Sequence, residues 1–158
     1  MATSITFKSA TKGDRALLRG WLDSPHVKEW WGDPEQEIEC IAYSKDADGT
    51  EGFIISLDDK PVGYIQSWVP SQFDNEGWEK NLAADVRGID VFIGETSALG
   101  RGADIIYAFC RRLLAEGNHH LVIDPDKRNH RAIRAYEKAG FTKFGQTERL
   151  ILMEFKGK

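Results

Sequence analysis

Twice in its second half the chain passes from a β-type run through a polar turn into an amphipathic helix, and this limits its architecture more than any other feature. The first passage is Arg87-Gly-Ile-Asp-Val-Phe-Ile-Gly94, then Leu99-Gly-Arg-Gly-Ala103, then an apolar-striped helix reaching about Ala115. The second is His120-Leu-Val-Ile-Asp124, followed by a helix that starts at Asn129. Asn is a natural N-cap, because its side-chain oxygen accepts an orphan N–H of the first turn. Ala132, Ile133, Tyr136 and Ala139 then recur with helical spacing. Gly140 supplies the left-handed stop and Phe141 the apolar residue that follows it. Strand–helix units of this kind build a sheet covered by helices.

The first half reads differently. Residues 3–7 alternate like a short strand, residues 11–22 form a helix capped by Thr11 and ended by Pro25, and residues 35–43 form a second, acidic helix. Two apolar runs, residues 53–57 and 62–69, flank the turn cluster Asp58-Asp-Lys-Pro61 and predict a hairpin. Residues 141–144 and 150–155 read as closing strands. The predicted order is β-α-α-β-β-β-α-β-α-β-β, an α+β fold with a mixed, largely antiparallel sheet.

A chain of 158 residues, 41% hydrophobic and 29% charged, is expected to form one domain, residues 1–158, with a single core. No apolar run approaches the roughly 20 residues a membrane span needs, and the N-terminus lacks the pattern of a secretory signal. A cytoplasmic protein without a membrane partner is therefore expected. Cys40 and Cys110 have no metal or redox spacing and are expected to be free, buried thiols. The four histidines form no metal constellation, so no metal is expected. Net charge −4 argues against nucleic acid. Acidic residues crowd positions 29–51, while the cations Arg101, Arg111, Arg112, Lys127, Arg128, Arg131, Arg134, Lys138 and Lys143 lie later. This describes either two solvated faces or a bipolar protein with one region for a cationic ligand and one for an anionic cofactor.

The string N-x-x-A-x-x-x-Y-E-K-x-G-F at residues 129–141 resembles the C-terminal motif of the GNAT acetyltransferases. The resemblance implies a GNAT fold whose sheet splays in the middle, with helices on its flanks. It also implies acetyl-CoA as co-substrate, with Asn129 on the coenzyme arm and Tyr136 as general acid toward the departing thiolate. In that family a turn [QR]-x-x-G-x-[GA] binds the coenzyme pyrophosphate. Its counterpart here is Leu99-Gly100-Arg101-Gly102-Ala103-Asp104. Read alone, that stretch is either a tight turn or a cradle of backbone N–H groups at a helix N-terminus. Leu99 replaces the Gln/Arg, and Asp104 stands where a small residue belongs. A carboxylate there either turns outward, weakens coenzyme affinity or marks a compromised site. Val91, Phe92 and Ile93 are the residues expected to take the pantetheine arm as an added strand.

His26-Val-Lys-Glu-Trp-Trp-Gly32, Gly63-Tyr-Ile-Gln-Ser67, Gly77-Trp78, Arg87-Gly-Ile-Asp90 and Asp124-Pro125 narrow the resemblance to the aminoglycoside 6'-N-acetyltransferases, over roughly residues 15–145. That resemblance implies Asp90 beside the acceptor amine, with Glu76 and Asp124 as further acidic residues of the drug cleft. The chain departs from the family near its end, where a shorter Gly145-Gln-Thr-Glu-Arg149 replaces an acidic loop and Glu148 is the candidate substitute. Other readings stand beside these. Trp30 and Trp31 are either a core plug or a flat wall for a sugar ring. Asp124 either caps a turn or binds substrate. Asp90, a carboxylate inside an apolar strand, needs a partner or a purpose.

The expected activity is acetyl transfer from acetyl-CoA to a primary amine of a polycationic small molecule, the 6'-amine of an aminoglycoside antibiotic, and hence antibiotic resistance. The alternatives are another amine acceptor (a siderophore or polyamine precursor, or a protein N-terminus) or a non-catalytic binder of cationic ligands with a degraded coenzyme site. Either a monomer or a homodimer is expected.

Overall fold

The computed structural model describes residues 3–157. Seven strands form one sheet in the hydrogen-bonded order β1-β2-β3-β4-β5-β7-β6. They are β1 (Ile5–Ser9), β2 (Glu51–Leu57), β3 (Lys60–Trp68), β4 (Val86–Ile93), β5 (His120–Ile123), β6 (Phe141–Gln146) and β7 (Ile151–Phe155). The helices are α1 (Arg15–Leu22), α2 (Pro25–Trp31), α3 (Pro34–Cys40), α4 (Gly102–Ala115) and α5 (His130–Ala139). The β1/β2, β5/β7 and β6/β7 pairs are antiparallel, and β4/β5 is parallel. The result is the expected mixed, largely antiparallel α+β sheet.

The helices depart from the sequence reading in three places: a 3₁₀ turn over Lys12–Asp14 precedes α1, α3 ends at Cys40 where Ile41 turns extended, and α2 is additional. Pro25 does not merely end the first helix. It occupies the first turn of α2, where its fixed φ suits a helix and its missing N–H costs nothing. The hairpin is as expected. Asp58 and Asp59 adopt φ of 48° and 68°, the two left-handed conformations that a tight β2–β3 turn demands.

By density of contacts the chain divides into two compact units. One holds the chain through Gln66 together with Asp90–Gly100; the other holds Ser67–Ile89 and the chain from Arg101 onward. In the first, Leu18, Trp21 and Leu22 of α1, Val27 of α2 and Ile38 of α3 bury against Ile54, Tyr64 and Phe92. In the second, Ile105, Ile106, Phe109, Cys110 and Leu113 form the buried stripe of α4. Phe141 and Phe155 meet at 5.3 Å between ring centroids. Cys110 is a free, buried thiol whose pKa burial pushes up to about 12. Cys40 is also free, but it is exposed at the end of α3 rather than buried. Among the described residues no helix is long and apolar enough to cross a membrane, and no group of three His, Cys, Asp or Glu is placed to hold a metal.

Candidate active site

Asp90 lies on β4 as a half-buried carboxylate. Its Oδ2 accepts a hydrogen bond from Gln66 Nε2 at 2.9 Å. Gln66 Oε1 accepts from the Tyr64 hydroxyl at 2.8 Å, and that hydroxyl accepts from the Ala42 N–H at 3.1 Å. Tyr64 and Gln66 are two residues apart on β3 and so share a face of the strand. The Tyr64 ring is wholly buried. It stacks on Phe92 at 5.7 Å and meets the edge of Trp31 at 6.4 Å. Room for its hydroxyl exists because residue 52 is Gly: a Cβ there would come within 2.3 Å of the Ala42 carbonyl and 2.4 Å of the Tyr64 oxygen. Burial is the main cause that holds the Tyr64 phenol above its ordinary pKa. Glu37, half-buried on α3, has its carboxyl raised, first by burial and then by the negative charges of Asp90 and Asp33. Sequence reasoning assigned no role to Tyr64, Gln66 or Glu37. The period-two placement of Tyr64 and Gln66 and the string Gly63-Tyr-Ile-Gln-Ser67 were the available signals, and neither names a partner.

Trp31 closes α2 against the core cluster, half-buried, with its Nε1 donating to the Val91 carbonyl at 3.3 Å and its ring edge-on to Phe92 at 5.0 Å. Its ring thus packs on the core while part of it stays exposed. Trp30 is half-buried on the same helix. His26 Nε2 donates to the Ile93 carbonyl at 2.8 Å.

The three candidate strand residues are not equivalent. A Cβ on Gly63 of β3 would lie 2.3 Å from the Phe92 carbonyl, so that carbonyl faces β3. Backbone groups alternate sides along a strand, which turns Val91 and Ile93 to the opposite edge. Their carbonyls there meet Trp31 and His26. Phe92 puts its side chain in the core, with 4% exposure. The β4/β5 ladder has three pairs and ends at Gly88–Val122, while β4 continues to Ile93. Gly88 of the Arg-Gly-Ile-Asp string is explained locally: a Cβ would meet the Trp68 indole at 2.4 Å.

The other candidates lie in the second unit, apart from Gly100, whose chain enters a 3₁₀ turn over Thr96–Arg101 that leads into α4. Arg101 is the N-cap and makes no side-chain cap bond. A Cβ on Gly102 would sit 3.8 Å from the Ala135 Cβ, so the start of α4 lies close to α5. Ala103 is buried beneath it. Asp104 turns outward: it pairs with Arg101 Nε at 3.1 Å, and its side chain is 52% exposed. Asn129 caps α5, with its Oδ1 accepting from the Ala132 N–H at 3.2 Å. Gly140 stops the helix at φ 116°. Tyr136 is half-buried, its ring 6.3 Å from that of Phe141. Asp124 is half-buried just past the end of β5.

Glu76 is engaged by a cation. Arg149 Nη2 lies 2.6 Å from its Oε1, and Arg149 Nη1 lies 3.8 Å from Asp126 Oδ2. Asp126 is held below the usual carboxylate range, first by its hydrogen bond from Arg128. The residue of the β6–β7 turn that reaches Glu76 is thus Arg149, while Glu148 is exposed. An open groove of about 560 Å³ over α1, lined by Trp21, His26 and Glu95 among others, includes none of the candidate residues in its lining.

A family model described as "Acetyltransferase (GNAT) domain" matches residues 10–149. The chain is 32% identical to the aminoglycoside N(6')-acetyltransferase type 1 of Klebsiella pneumoniae, over 90% of this chain and 76% of that protein. It is also similar to the solved structure of aminoglycoside acetyltransferase AAC(6')-Ib in complex with coenzyme A. That match has TM-score 0.82 and 30% identity, and it covers 96% of this chain and 94% of that one. The complex of AAC(6')-Ib with coenzyme A and kanamycin gives TM-score 0.81 at 29% identity, with 96% and 94% covered.

Proposed function

Because this chain belongs to the GNAT acetyltransferases, and within them to the aminoglycoside N(6')-acetyltransferases, we propose that it moves the acetyl group of acetyl-CoA to the 6'-amine of an aminoglycoside. The observation that carries this reading is Asp90, a carboxylate in an apolar strand with one oxygen held by a neutral amide. An ammonium has no lone pair, so it must lose a proton before it can attack. Asp90 accepts that proton, directly or through water. The N–H groups on the Val91/Ile93 edge polarise the thioester carbonyl as its oxygen gains charge. The new C–N bond forms as the C–S bond breaks, and Tyr136 gives its proton to the sulfur.

The chain fits the co-substrate in its own residues. The outward ion pair of Asp104 with Arg101 takes the carboxylate away from the first turn of α4. Gly100, Arg101, Gly102 and Ala103 receive the pyrophosphate along their backbone. With its oxygen used as a cap, Asn129 offers its NH2 group to the coenzyme arm. Trp30, Trp31, Glu76 and Asp124 border the drug. Residues 1–158 act as one catalytic domain, in the cytoplasm where acetyl-CoA is available, as a monomer or homodimer and without nucleic-acid or membrane partners.

A second acceptor class, a siderophore or polyamine precursor or a protein N-terminus, is favoured by one observation: Arg149 neutralises Glu76 and so lessens the acidity offered to a polycation. A thiol-release assay with acetyl-CoA separates the two, using kanamycin, tobramycin, gentamicin and spermidine as acceptors. We expect turnover with the three aminoglycosides and little with spermidine. Turnover confined to spermidine would replace the aminoglycoside reading with the second.

A further inference from the structure

We propose that Tyr64 and Gln66 are positioning residues that fix the orientation of the Asp90 carboxylate toward the acceptor amine. The inference rests on Asp90 as the proton acceptor, as argued above. Its strength lies in the polarity of the chain Ala42–Tyr64–Gln66–Asp90, which is set from the Asp90 end: a carboxylate oxygen can only accept, so Gln66 turns its NH2 toward it. A backbone N–H can only donate, so the Tyr64 oxygen accepts from Ala42 at 3.1 Å. Its single proton then goes to Gln66 Oε1 at 2.8 Å. An amide whose oxygen is so used must present its NH2 at the other end, where Asp90 Oδ2 lies at 2.9 Å. With Asp90 a carboxylate, the amide flip that leaves many Gln side chains ambiguous would set Gln66 Oε1 against an acceptor oxygen, and is disfavoured.

The anchor cannot drift. The Tyr64 ring has 0% exposure, is stacked on Phe92 and edged by Trp31, and places its hydroxyl in the space left by Gly52. A raised phenol pKa keeps it a donor throughout the neutral range. The donor to Asp90 is also of the right kind. An Arg or Lys at position 66 would fix the carboxylate but cancel its charge and lower its basicity; an amide fixes the plane and leaves the negative charge for an incoming cation. Glu37 of α3 also feels the Asp90 charge, a like charge whose repulsion a bound ammonium would relieve.

The test uses the enzyme and variants at positions 64, 66 and 90. Gln66→Glu keeps size and the Tyr64 bond but turns an oxygen toward Asp90. We expect kcat at neutral pH to fall at least about 30-fold, acetyl-CoA KM to stay within about twofold, and the acid limb of the pH profile to move up by about one unit as the two carboxyls share a proton. Tyr64→Phe should lower kcat about tenfold, and adding Gln66→Ala to it should cost far less than Gln66→Ala costs alone, since both cut one chain. Should Tyr64→Phe fail to fold, Gln66→Glu carries the test. A reading independent of turnover is the side-chain amide NMR signal of Gln66. It should titrate with pH in the wild type and cease to do so in Asp90→Asn. Wild-type kcat and an unmoved acid limb in Gln66→Glu, or a Gln66 amide indifferent to pH, would overturn the inference. A titrating amide in an enzyme whose turnover ignores Asp90→Asn would uphold the chain of bonds and remove Asp90 as the proton acceptor.

Discussion

Asp90 and Tyr136 divide the proton traffic of the proposed reaction, one taking a proton from nitrogen and the other giving one to sulfur. Asp90→Asn is close in shape, so β4 should keep its packing, but an amide cannot accept the proton. Acetyl transfer should be nearly abolished while calorimetry shows acetyl-CoA binding intact. Residual activity should climb more steeply with pH than in the wild type, because only amine already neutral in solution can react. Wild-type turnover with an unchanged profile would place the acceptor elsewhere; loss of the circular dichroism signal would make Asp90 a structural carboxylate. Tyr136→Phe should lower kcat by about 10²–10⁴-fold with little change in acetyl-CoA KM, since a leaving thiolate exists only late in the reaction. A variant within twofold of wild type would make Tyr136 a packing residue against Phe141. The sequence singled out these residues as candidates because each sits in a short string of fixed pattern. Tyr64 and Gln66 sat in such a string too but drew no role, because their partners, Ala42 and Asp90, are each more than twenty positions away in the chain. Nor did the sequence show Arg149 on Glu76, a contact across 73 positions.

At the scale of elements, β4 carries most of the constraint. Its Gly88 admits the Trp68 indole, and Trp68 is itself held by Phe73 at 5.5 Å and Trp78 at 6.2 Å. Gly88→Ala forces a Cβ into an indole with nowhere to retreat, and we expect about 1–3 kcal/mol of lost stability in urea unfolding. Gly20→Ala in α1 meets nothing within 4 Å and should instead stabilise by about 0.5–1 kcal/mol. Equal effects at the two positions would contradict this account of β4. Strand and helix periods made most elements legible from sequence. The main exception was α2, because a Pro three residues after a helix reads equally as its stop or as the first turn of another. Asp104 was visible as a departure from the turn pattern, but its outward direction needed the geometry of its ion pair with Arg101.

For the molecule as a whole, charge and chemistry agree. The acidic run over residues 29–51 and the net charge of −4 suit attraction of a polycation, and association should weaken as salt rises. Acetylation in turn removes one charge from the drug and would weaken its electrostatic grip on RNA. The central claim is that this enzyme acetylates the nitrogen at the 6' position. Neomycin and paromomycin, which differ only in carrying an amine or a hydroxyl there, test it most directly. With acetyl-CoA and purified enzyme, mass spectrometry and NMR of the products should show neomycin acetylated once, on the 6' nitrogen, and paromomycin unchanged. Equal acetylation of both compounds, or an acetyl group on any other nitrogen of neomycin, would contradict the claim.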